Sequence, residues 1–188
     1  MLFLVFSLFF LIFYFPTSFS QESGQINFGG PPDLNDEESA SFHMPQYLRC
    51  DGCNIIAHLF FEAFRKREQK LTSGKLLLES DVIDATESVC ESDFKEYGVT
   101  EWNGKKRMKG PGLDTDNVPG VTQSGGKWPV RLQQLCSSYI DELGEDYLYR
   151  KYRRASEDID SWSRTFRKFL CEESGSRLSY CRKKKNEL

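Results

Sequence analysis

The chain has 188 residues, with 25 Lys and Arg against 28 Asp and Glu, and a formal net charge of −3. That length suits one domain, and the mild acidity argues against a nucleic-acid partner, which would call for a basic face. The six cysteines are an even set, which points to an oxidising compartment and three disulfides; counting alone does not pair them.

Residues Leu2 to Phe15 are an apolar and aromatic run of about 14 residues, nearer a signal-peptide core than a bilayer span of roughly 20. Ser18-Phe19-Ser20 places small residues just ahead of Gln21, so residues 1–20 are expected to be a signal peptide cleaved before Gln21. The amino-terminal flank lacks the usual Lys or Arg, which keeps an uncleaved anchor as the alternative. Residues 21–44 are rich in Gly, Pro, Ser and acids, including Asp33, Asp36, Glu37 and Glu38. They are expected to form a disordered acidic arm. No N-x-S/T sequon occurs, so N-glycans are not expected.

The helical domain is expected over residues 45–181. Pro45 suits a first helical turn. Leu48, Ile55, Ile56, Leu59, Phe60, Ala63 and Phe64 then keep helical spacing to about Lys70. Val82, Ile83, Ala85, Val89, Cys90 and Phe94 predict a second helix over roughly 79–97. Residues 98–127 read as a long Gly/Pro loop, a kind of segment that is often functional. It carries Trp102, with Trp128 at its end, as candidate partner-binding aromatics. Asp114, Asp116 and Asn117 resemble the start of a calcium loop, but Pro119 and Gly125 stand where its Gly and Glu belong. A third helix runs from Pro129 to about Arg154, with a bend expected at Gly144. A fourth carries Ile159, Trp162, Phe166, Phe169 and Leu170 and ends near Cys171. No stretch alternates as strands do. The fold class is therefore all-α, a bundle of about four helices held by three disulfides.

Residues 182–188 form a basic tail ending in Lys185-Asn186-Glu187-Leu188, one substitution from the K-D-E-L retrieval signal. This predicts a soluble resident of the endoplasmic reticulum lumen, partly secreted because Asn186 replaces the acid.

Cys50 and Cys53 form a C-x-x-C at the head of the first helix. Three residues apart on a helix, their Cβ atoms would stand about 5–6 Å apart, whereas a disulfide needs about 3.8 Å. Partners on an opposing segment are therefore expected, in the nested order Cys50–Cys181, Cys53–Cys171 and Cys90–Cys136. The alternative is a redox pair of Cys50 with Cys53, activated by the helix amides, which leaves Cys171 to pair with Cys181. No strand precedes the motif, so the thioredoxin context is missing. A zinc site from His43, Cys50, Cys53 and His58 fits no common finger spacing. No metal and no cofactor are expected.

This frame, with one cysteine on each middle helix and two near the end, resembles the saposin-like pattern. The stretches His43-Met44-Pro45, Leu48-Arg49-Cys50-Asp51, Tyr97-Gly98-Val99, Gly110-Pro111-Gly112-Leu113, Trp128-Pro129 and Gly144-Glu145-Asp146 recur in order around it. They resemble a saposin-like family of endoplasmic reticulum proteins induced in plasma cells, distantly related to the canopy co-chaperones. The resemblance covers about Asp36 to Tyr149 and resumes at the last cysteines and the tail. It implies a lumenal helper of folding that associates with endoplasmin and BiP and assists assembly of immunoglobulin heavy and light chains. It also implies links to integrin and calcium regulation, and a weak thiol-disulfide exchange role for Cys50 and Cys53. A thiol-disulfide oxidoreductase and a lipid-binding saposin-like protein are the competing readings.

Overall fold

A computed structural model describes residues 31–72, 74–155, 161–173 and 177–181. The signal segment 1–20, residues 21–30 of the arm, Ile159 and the retrieval residues 185–188 lie outside the described residues. The elements in chain order are α1 (Asp36–Ala40), a 3-10 turn (Gln46–Leu48), α2 (Arg49–Glu68), α3 (Glu79–Cys90), β1 (Gly98–Trp102), β2 (Lys105–Lys109), β3 (Thr122–Ser124), α4 (Trp128–Leu143), α5 (Glu145–Ala155), α6 (Trp162–Lys168) and a π-turn (Phe169–Glu173). The architecture is the expected disulfide-stapled, saposin-like helical fold, with a small sheet added.

The core is built around α2, which packs against α3, α4, α5 and α6. Its residues Cys53, Ile56, Ala57, Phe60, Phe61 and Phe64 recur three and four apart and are all buried. At its carboxyl-terminal half, Phe61 and Phe64 meet Tyr149, Tyr152 and Trp162 in edge-on and tilted contacts 4.9–5.6 Å between centroids. Each fully buried ring of this kind contributes about 1.5–3 kcal/mol through the area it removes from water. Among the described residues, no helix is long and apolar enough to cross a membrane.

Four sequence expectations need correction. The second helix ends at Cys90 rather than near Tyr97, because Ser92-Asp93 favour a turn and Phe94 takes a left-handed φ of 46°. The third helix is two helices: Gly144, at φ 76°, ends α4, and Glu145 and Asp146 start α5 with acids at its positive end. The Gly/Pro loop contains a three-stranded antiparallel sheet in the order β2-β1-β3. Its strands do not alternate visibly because only Gly98, Val99, Thr100 and Met108 of these strands are buried. Finally, residues 36–41 do not form a disordered arm. They make α1 and dock on α4 through the Arg131 guanidinium, which donates to the Ser41 carbonyl at 3.1 Å.

Candidate functional site

The first turn of α2 holds Cys50-Asp51-Gly52-Cys53, and each residue reaches a different part of the molecule. Cys50 is bonded to Cys181 and Cys53 to Cys171, while Cys90 and Cys136 join α3 to α4. These are the pairs of the nested order. Cys53 and Cys171 are fully buried, whereas Cys50 and Cys181 are only half-buried. Among the described residues no cysteine is free.

Between the two sulfurs, Asp51 points into the sheet. It is 3 % exposed, and its carboxylate accepts two hydrogen bonds from Arg107, at 2.7 and 2.8 Å, and one from the Met108 backbone N–H at 3.0 Å. This forked guanidinium–carboxylate pair fixes the orientation of β2 over α2. The bond to Asp51 holds the Arg107 guanidinium above its ordinary pKa. Gly52 faces α4: a Cβ there would stand 2.7 Å from the Leu135 Cδ2 atom. The motif therefore clasps the carboxyl-terminal segment twice, the sheet once and α4 once.

No family model matches the chain. Among curated proteins, it is 39% identical over 137 residues to the marginal zone B- and B1-cell-specific protein of Mus musculus, covering 69% of this chain and 73% of that protein. The Rattus norvegicus protein of the same name is 36% identical over the same length and shares. The Homo sapiens one is 36% identical over 133 residues, 65% of this chain and 69% of that protein. This chain belongs to the marginal zone B- and B1-cell-specific protein family.

In this member of the family, the candidate residues fall into separate places. Trp102 sits half-buried at the tip of the β1–β2 hairpin, 5.9 Å from the Arg107 guanidinium. Trp128 is 3 % exposed and carries the Arg131 guanidinium 4.2 Å from its ring centre. It packs in the core cluster and lines a cleft with Glu38 and Ser39 of the arm. His43 is exposed and His58 half-buried on α2; burial lowers the His58 pKa. Asp114, Asp116 and Asn117 are exposed. Among the described residues, no group of three His, Cys, Asp or Glu side chains is placed to hold a metal ion. Two residues escaped the sequence reading. Asp51 is one, hidden inside a motif read for its sulfurs. Arg131 is the other, hidden because a basic residue on an amphipathic helix reads as solvent-facing.

Proposed function

We propose that this protein is a folding helper of the endoplasmic reticulum lumen, which assists assembly and secretion of immunoglobulin-type, disulfide-bonded clients together with endoplasmin and BiP. The observation that carries this reading is the engagement of all six cysteines in disulfides, in a member of a B-cell-specific family. Three disulfides suit an oxidising compartment. The Lys185-Asn186-Glu187-Leu188 sequence and the apolar run at residues 2–15 support the same placement. In this reading the protein acts by holding partners rather than by turning them over. Exchange chemistry at Cys50 or Cys53 starts only after a staple is opened. The test is a pull-down with the oxidised protein from the lumenal extract of antibody-secreting cells. Recovery of endoplasmin, BiP or an immunoglobulin chain is expected; recovery of none of the three, with a lumenal marker present in the input, defeats the proposal.

A further inference from the structure

The described part of the acidic arm lies on a cationic surface whose most buried charge, Arg131, makes no ion pair with any described side chain. Arg131 is 2 % exposed, and burial lowers its pKa. Its guanidinium stacks on Trp128 and donates to the backbone carbonyls of Glu38 and Ser41. Among the described side chains it forms no ion pair. The Lys127 ammonium donates to the Ala40 carbonyl and lies 4.5 Å from the Phe42 ring centre. Lys106 pairs with the Glu38 carboxylate at 2.6 Å, and the Tyr47 hydroxyl donates to the same carboxylate. Leu34, Glu38, Ser39, Lys127, Trp128 and Arg131 line one cleft.

Three cations and one indole ring are thus covered by a short acidic segment whose hydrogen bonds to Arg131, among the described side chains, come from neutral carbonyls. A guanidinium pairs with a carboxylate through short, charge-assisted and often bidentate bonds, which a single carbonyl does not match. The cover itself is weakly built: α1 has five residues, too few for independent helical stability. Such segments belong to the low-stability end of a fold. We propose that residues 36–42 are a displaceable strap over a binding site for an acidic peptide segment, formed by Lys106, Lys127, Trp128 and Arg131. The strap occupies the site from within the chain, and its tether gives it an effective concentration on the order of millimolar against any outside ligand. Lifting it exposes the guanidinium on its ring to carboxylates from a partner. This inference goes beyond the folding-helper reading and does not depend on it.

The probe is a fluorescein-labelled peptide copying residues 33–44, titrated with the full, oxidised protein and followed by anisotropy. Glu38→Lys sets a cation against Lys106 and removes the Tyr47 acceptor, while leaving the four site residues intact. The variant is expected to bind the peptide at least tenfold more tightly than the unaltered protein. A peptide with its acids replaced by Asn and Gln is expected to bind neither. Hydrogen exchange over residues 36–42 is expected to quicken in the variant. Equal affinity of the two proteins, no binding by either, or equal binding of the neutral peptide overturns the proposal. Adding Lys127→Glu to Glu38→Lys is expected to abolish the gain; if the gain persists, the assigned site is wrong.

Discussion

Asp51 shows how one side chain converts a cysteine motif into a joint. A carboxylate this buried is tolerable only because the Arg107 fork and the Met108 N–H together satisfy it. Asp51→Ala removes the acceptor and leaves the Met108 N–H buried without its partner. The expected loss is about 2–4 kcal/mol, read as a lower denaturation midpoint at unchanged slope. Asp51→Asn keeps one carbonyl acceptor and is expected to lose less; equal losses in both variants would assign the effect to charge alone. Tyr149 offers a cleaner deletion. Its hydroxyl donates to Glu68 at 2.6 Å and accepts the buried Leu77 N–H at 3.0 Å. Tyr149→Phe keeps the ring contacts with Phe64 and Tyr152. A loss of about 1–2 kcal/mol is expected, and none at all would show that water replaces the hydroxyl without cost.

At the level of elements, what the sequence concealed had local signals of its own. The helices around the cysteine frame were legible because their apolar faces are buried and therefore periodic. The β1–β2 hairpin was not, because its strands bury few side chains, yet its turn is Asn103-Gly104 with φ of 52° and 68°, the strongest short hairpin signal there is. The helix α1 was hidden by acidic composition, although Asn35 and Glu38 form a capping box: the Glu38 N–H donates to Asn35 Oδ1 at 2.7 Å and the Asn35 N–H to Glu38 Oε2 at 3.0 Å. Burial alone would raise the Glu38 pKa, but the bonds from Lys106, Tyr47 and the Asn35 N–H outweigh it and bring the carboxyl down from 4.5 to about 2. A depressed carboxyl pKa means that this docking energy is fully present above pH 4.5 and is lost as the pH falls through about 2. Carbon-detected NMR of the Glu38 carboxyl is expected to titrate near 2, and in Lys106→Met to move up toward 4.5. A midpoint already near 4.5 in the unaltered protein would show that α1 is not held in solution.

For the whole molecule, the nested staples divide the work unequally. Cys50–Cys181 and Cys53–Cys171 span 131 and 118 residues. Taken singly, loops of that length each imply about 5 kcal/mol of chain-entropy stabilisation. The two are not independent. With Cys53–Cys171 closed, the outer bond closes only the 13 residues by which the spans differ, worth about 3 kcal/mol. The outer sulfurs are also half-buried, while the inner pair is shut inside the core under α6 and the π-turn. Thiol attack depends on access to the sulfur. The outer staple is therefore the one that opens first, and its loss leaves the fold standing on the inner one. Under graded reductant, differential alkylation and peptide mapping are expected to label Cys50 and Cys181 before any other cysteine, with the circular dichroism of the folded protein retained. Cys50→Ser/Cys181→Ser is expected to lose about 3 kcal/mol, and Cys53→Ser/Cys171→Ser more, because its removal also exchanges a fully buried, packed bond for two buried hydroxyls. Simultaneous labelling of all six cysteines would instead make the three disulfides one cooperative unit, and would leave no state in which a freed Cys50 exists on a folded chain.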